Sequence, residues 1–180
     1  MVTISDPAAV AARAADVRLM IFDVDGILTD GRLYYGPDGE CLKVFNVLDG
    51  QGIKLLQQSG VATAIISARQ SPVLARRAAD LGIAHLQQGV HDKRAAFAQL
   101  LDKTGLAAHQ CGFIGDDVID LPILLRAGFA ASVPNAHIEV RQRVHYVTQA
   151  AGGQGAAREI CDLILRAQGK YDAALAAFLT

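Results

Sequence analysis

Four stretches of the chain concentrate side chains that move phosphoryl groups and protons: Asp23-Val24-Asp25-Gly26, then Ser67, then Lys93, then Gly115-Asp116-Asp117-Val118-Ile119-Asp120. A phosphate monoester needs a nucleophile, an acid for its leaving oxygen, and positive charge against the transferring group. Asp23 suits the nucleophile, forming an aspartyl-phosphate. Asp25 suits the proton donor, returning as base to activate water. Magnesium, held by Asp23, Asp116 and the Asp25 carbonyl, with Asp117 and Asp120 just outside those ligands, would let an anionic nucleophile meet an anionic substrate. Ser67 and Lys93 would bind phosphoryl oxygens. Each residue also has a bland reading: Asp-Gly and Ser form turns, a lysine at a helix start is solvated, and acids favour a helix's first turn. The order and types together favour chemistry.

These residues need a scaffold that brings four loops to one edge. Leu19-Met20-Ile21-Phe22 is an unbroken apolar run, which reads as a strand buried on both faces of a parallel sheet. Residues two apart on a strand share a side, so Asp23 and Asp25 should face one site at its carboxyl end, where open α/β sheets bind ligands. Further strands are expected over 61–66, 84–86, 111–114, 129–133 and 144–147. Helices are expected from Pro7 in a peripheral position, over 52–59, from Pro72 to Leu81 behind a Ser71 N-cap, from His91 to about Thr104, after Asp120, and from Ala156 to about Gln168. The segment from Leu33 to Phe45, turning at Gly36-Pro37-Asp38-Gly39, reads as a β-hairpin. The fold class is therefore α/β, a doubly wound, Rossmann-like parallel sheet with helices on both faces. Gly152-Gly153-Gln154-Gly155 is a joint before the last helix or an anion cradle, without a P-loop lysine.

The 180 residues fit one domain, 1–180, with the hairpin at about 32–47 and a C-terminal tail and helix at about 151–180. Hydrophobic residues at 52%, charged residues at 19% and a net charge of −1 give no reason to expect nucleic acid or a membrane as partner. Cys41, Cys111 and Cys161 are odd in number and widely spaced, which suggests buried thiols rather than disulfides or zinc. The N-terminus lacks the pattern of a signal peptide, so the cytoplasm is the expected compartment. A phospho-accepting receiver domain uses a similar acidic cluster, but has no second Asp two residues after the first.

The four motifs resemble, in order, those of the haloacid-dehalogenase-like phosphatases. The narrower resemblance, over residues 18–170, is to a capless branch of that family in lipopolysaccharide precursor synthesis. It rests on Phe45-Asn46-Val47-Leu48-Asp49-Gly50-Gln51-Gly52, on Asp116 to Pro122, and on Ala151-Gly152-Gly153-Gln154-Gly155-Ala156-Ala157-Arg158-Glu159. The resemblance implies hydrolysis of a sugar acid phosphate, an octulosonate 8-phosphate with a nonulosonate 9-phosphate as runner-up, and magnesium as cofactor. It makes Asn46, Val47, Leu48, Asp49, Gly50, Lys54, Arg69, Arg77 and Arg158, beside Asp25 and Lys93, candidate substrate contacts. The family often has basic residues where this chain has Leu48 and Gln154. With a hairpin in place of a cap domain, and with Leu33, Tyr34, Tyr35, Leu42, Val44 and Phe45 too apolar for an isolated ribbon, self-association is expected. The resemblance implies a homotetramer, with the 152–158 tail reaching toward a neighbouring site.

Overall fold

A computed structural model describes residues 6–179. In chain order the elements are α1 (Pro7–Ala15), β1 (Leu19–Phe22), β2 (Tyr34–Gly36), β3 (Gly39–Leu42), α2 (Val47–Gln58), β4 (Ala62–Ile66), α3 (Pro72–Asp80), β5 (His85–Gln87) and α4 (Lys93–Thr104). They continue with β6 (Cys111–Ile114), α5 (Leu121–Leu124), β7 (Phe129–Ser132), α6 (Ile138–Arg141), β8 (Tyr146–Val147), α7 (Ala156–Ala167) and α8 (Tyr171–Ala176). The six-stranded sheet has the order β5-β4-β1-β6-β7-β8, and every pair is parallel. Strand order reverses beside β1, which puts a crevice at its carboxyl end.

All four residues of β1 are buried, and they alternate between two cores. Met20 and Phe22 pack with Ile53, Leu56, Leu74, Ile160 and Ile164 beneath α2, α3 and α7. Leu19 and Ile21 face the other way, with Phe97, Leu100, Ile123 and Val140 of α4, α5 and α6. A run without polar alternation is what a strand sandwiched between helix layers requires. The helix starts follow chemical signals. Asp6 accepts a hydrogen bond from Ala8 N at 3.1 Å ahead of Pro7, and Asp92 accepts one from Ala95 N at 3.0 Å to open α4.

Several expectations change. Helix α2 begins at Val47 rather than Gly52, because the Asn46 side chain accepts from Leu48 N at 2.8 Å and caps it. Gly50 and Gly52 mask its helical period. A Cβ at Gly52 would come within 3.0 Å of the Arg158 Cα, so glycine there lets α2 and α7 pack closely. Ser71 precedes α3 without a side-chain capping bond. Helix α1 lies at the surface, as expected, and docks through two buried residues, Val10 and Ala14. Cys41 is exposed on the hairpin, whereas Cys111 and Cys161 are buried. Residues 1–5, part of the region read for a leader, lie outside the described residues. Helix α8 carried no clear sequence signal. Among the described residues no helix is long and apolar enough to cross a membrane.

Candidate active site

The loop after β1 is a tight wrap. Asp23 N donates to Ile114 O at 3.0 Å, keeping Asp23 in register with β6, and Val24 O accepts from Leu28 N at 2.9 Å and Thr29 N at 3.0 Å. Gly26 has φ of 92°, and a Cβ there would occupy the space of the Asp116 carboxylate. Glycine is thus needed both for the turn and for Asp116 to approach. Ser67 leaves β4 buried, its N donating to Gln87 O at 2.9 Å and its Oγ accepting from Arg69 N at 3.3 Å.

Lys93 is the first residue of α4, where the helix dipole opposes a cation, so local helix energetics do not explain it. Its side chain, 2% exposed, places Nζ 2.8 Å from Asp23 Oδ1 and 2.5 Å from Asp120 Oδ1. The other Asp120 oxygen accepts from Asp116 N at 3.0 Å and Asp117 N at 3.2 Å, shaping the loop that presents Asp116. Asp117 turns outward and accepts from Val118 N at 2.7 Å, capping the turn that leads into α5.

Carboxylate oxygens of Asp23, Asp116 and Asp120 lie within 4.8 Å of one another, with Lys93 among them. Burial, followed by the Asp120 charge, pushes the Asp23 carboxyl up to about 8, against the opposing pull of Lys93. Burial and the charges of Asp120 and Asp117 likewise raise Asp116 to about 7. Burial alone would lower Lys93, but Asp23 and Asp120 outweigh it and hold its pKa high. One lysine therefore leaves unbalanced negative charge. A hard divalent cation with oxygen ligands fits this donor set. Asp23 and Asp116 are the acids with ligand capacity to spare, because Asp120 is engaged by Lys93 and two backbone N–H groups.

Asp25 faces a second group of charges that the sequence reading passed over, apart from Arg69. Lys43 Nζ bonds Asp25 Oδ1 and lies 3.2 Å from Glu40 Oε1. Arg69 Nε lies 3.9 Å from Asp25 Oδ2, and its Nη2 is 3.0 Å from Glu40 Oε2 and 2.9 Å from the Tyr35 hydroxyl. The available signal was the triplet Leu42-Lys43-Val44, a single cation between apolar residues on a ribbon. A cavity of about 240 Å³ opens between the two groups, lined by Asp23, Asp25, Ser67, Arg69, Asp116 and Ile119.

The remaining candidates are not brought to this cavity within one chain. Asn46 caps α2 and donates to Gly153 O at 3.2 Å. Asp49 is buried and accepts from Arg158 N at 2.9 Å, capping the start of α7. Arg77 sits over the Phe45 ring at 5.8 Å and donates to Asn46 O at 3.4 Å, packed against Gly50. Val47, Leu48 and Lys54 are exposed on α2. The Arg158 guanidinium pairs with Asp162 at 2.8 Å. Nor is the glycine-rich segment a loose joint, and the anion that backbone N–H groups hold at its end is internal, the Asp49 carboxylate, bonded by Gly155, Ala157 and Arg158. Gly153 N donates to Ile27 O at 2.8 Å, and Cβ atoms at Gly152 and Gly153 would collide with the backbone of Gly26 and of Thr29-Asp30. Its glycines permit close contact with the loop that carries Asp25.

A family model described as haloacid dehalogenase-like hydrolase matches residues 82–160. The chain is 47% identical over 165 residues to the 3-deoxy-D-manno-octulosonate 8-phosphate phosphatase KdsC of Escherichia coli (strain K12), spanning 92% of this chain and 88% of that protein. Among solved structures, a probable YrbI family phosphatase from Pseudomonas syringae pv. phaseolica 1448a superposes with TM-score 0.94 at 49% identity, covering 96% of this chain and 98% of that one. The 3-deoxy-D-manno-octulosonate 8-phosphate phosphatase of Moraxella catarrhalis, solved with a magnesium ion, a phosphate ion and a KDO molecule, gives TM-score 0.91 at 44% identity, with coverages of 94% and 97%.

Proposed function

Since the chain belongs to the haloacid-dehalogenase-like hydrolases, and within them to the 3-deoxy-D-manno-octulosonate 8-phosphate phosphatase family, we propose that its carboxylate centre hydrolyses that sugar acid phosphate with magnesium as cofactor. The observation that carries the reading is the grouping of Asp23, Asp116 and Asp120 around buried Lys93 at the carboxyl ends of parallel strands.

Asp23 attacks phosphorus and forms an aspartyl-phosphate. Its place beside Lys93, in the lining of the cavity, supports that role. Asp25 protonates the leaving sugar oxygen, then takes a proton from the water that attacks the phosphoenzyme. Ser67 and Lys93 hold phosphoryl oxygens, Lys93 supplying charge that Asp120 keeps in place. Magnesium would be held by Asp23, Asp116 and the Asp25 carbonyl, and would supply charge that offsets substrate and carboxylates together. Arg69 at the cavity rim is suited to the substrate carboxylate.

Among the described residues no cap covers the crevice, and Leu33, Tyr35, Leu42, Val44, Val47 and Leu48 are exposed on the hairpin and the first turn of α2. A homotetramer with hairpins packed between subunits would bury them. It would also carry Lys54, Arg77 and the 152–158 segment toward a neighbouring site. Three free thiols suit a reducing, cytoplasmic setting. The test is phosphate release from the octulosonate 8-phosphate with magnesium, with EDTA, and with Asp23→Asn. Full turnover in EDTA or by the Asn variant would overturn the reading.

A further inference from the structure

We propose that the hairpin is part of the catalytic apparatus, and that Lys43, steadied by Glu40 and flanked by Arg69, is a positioning residue that fixes the Asp25 carboxylate for proton transfer. The proposal rests on the phosphoryl-transfer reading above. Asp25 lies beyond the end of β1, on a loop with no ladder partner to steady its short side chain. Its two oxygens face two different cations: Lys43 Nζ bonds Oδ1, and Arg69 Nε lies 3.9 Å from Oδ2. Glu40 holds both cations in turn, with Oε1 3.2 Å from Lys43 Nζ and Oε2 3.0 Å from Arg69 Nη2. The Lys43 side chain is 2% exposed and those of Glu40 and Asp25 are 14% and 20% exposed, while Arg69 at 36% stands at the rim, so three of the four charges are enclosed.

The direction of the ribbon gives an independent argument. Leu42 and Val44 are 49% and 53% exposed, whereas Lys43 between them is turned inward onto the reaction centre. A ribbon serving association alone would leave its lysine in water, since burying a cation is unfavourable unless it is paired. Here alternation divides the work: the apolar residues face outward, and the cation faces Asp25. A proton donor must be held close to its productive geometry, and Lys43 fixes one oxygen of the Asp25 carboxylate while Arg69, 3.9 Å from the other and bonded to Glu40, adds charge beside it.

The test exploits the leaving group. A sugar alkoxide needs a proton in order to depart, whereas p-nitrophenolate is a weak base and departs without one. In single-turnover experiments, Lys43→Met should slow phosphoryl transfer from the octulosonate 8-phosphate ~10–100-fold, part of the usual worth of acid catalysis, while transfer from p-nitrophenyl phosphate falls less than ~3-fold. Lys43→Arg should restore most of the loss. In an Asp25→Asn background Lys43→Met should cost nothing further, because residues that act as a unit are not additive. Thermal unfolding and light scattering establish that each variant is folded and assembled. Should Lys43→Met not fold, Glu40→Gln should show the same selectivity for the sugar phosphate at smaller amplitude. Equal losses on both phosphates, additive with Asp25→Asn, overturn the proposal while leaving the parent reading intact. An Asp25→Asn variant impaired equally on both phosphates overturns Asp25 as the acid, and the proposal with it.

Discussion

Taking divalent metal away from this protein should make its stability fall as pH rises, the reverse of the usual behaviour of a paired carboxylate. In the metal-free fold Asp23 is raised from 3.8 to about 8 and Asp116 from 3.8 to about 7, chiefly by burial and then by the Asp120 charge. Between those limits the folded protein holds protons that the unfolded chain has released, so stability drops as pH climbs through the folded values. From pH 6.5 to 8, integrating the two titrations at about 1.4 kcal/mol per unit gives roughly 1–2 kcal/mol from Asp23 and about half that from Asp116. A sum of about 2 kcal/mol is worth about 4–8 °C in melting temperature for a chain of this size. His145, lowered by burial, has the opposite sign, but its effect is confined to pH below its ordinary 6.5. Magnesium takes the place of those protons, so its stabilising effect should grow across the same window. The assay is urea or thermal unfolding of EDTA-stripped protein at several pH values, with and without saturating magnesium. A metal-free stability that is flat or rising from pH 6.5 to 8, or a magnesium gain equal at both ends, would mean that Asp23 and Asp116 do not hold protons in the metal-free fold.

Asp25→Asn should fold normally yet lose at least ~10-fold in kcat on the sugar phosphate, given the ~10²–10⁴-fold typical of acid–base assistance, and steady-state phosphate release checks it. Gly152→Ala places a methyl group against the Gly26 backbone; it should cost ~1–3 kcal/mol in unfolding and lower kcat by disturbing the Asp25 loop. Light scattering should find a tetramer that Leu42→Asp or Val44→Asp converts to smaller species, and a wild-type monomer at micromolar concentration would sink the association model. Truncation after Ala150 would not test the tail, because it removes α7, whose Ile160, Ile164 and Leu165 are buried in the core.

Where candidate groups follow strand ends, their gathering was legible in the sequence. The apolar runs at 19–22 and 111–114 announced β1 and β6, and Asp23, Ser67, Lys93 and Asp116 meet because parallel strands deliver their carboxyl ends to one edge. Long-range capping was harder to read. Asp49 sits in a motif that resembles substrate contacts, yet its carboxylate holds the start of α7, a partner more than a hundred positions away in sequence. The glycines of α2 and of 152–155 are permissive in isolation. Only the opposing surfaces, Arg158 for Gly52 and Gly26 for Gly152, reveal that close packing selects them. Lys43 was missed because a charged residue on a short ribbon is usually solvated. Its burial depends on Asp25 and Glu40 lying where the hairpin folds back.

The decisive experiment measures phosphate release from 3-deoxy-D-manno-octulosonate 8-phosphate beside related nonulosonate 9-phosphates, for wild type and Asp23→Asn, in magnesium and in EDTA. Magnesium-dependent turnover with the octulosonate 8-phosphate preferred is expected, and none by Asp23→Asn, since an amide keeps the shape but is a very poor nucleophile. No hydrolysis of that substrate by the magnesium-loaded wild type, or wild-type turnover by Asp23→Asn, would contradict the proposed function.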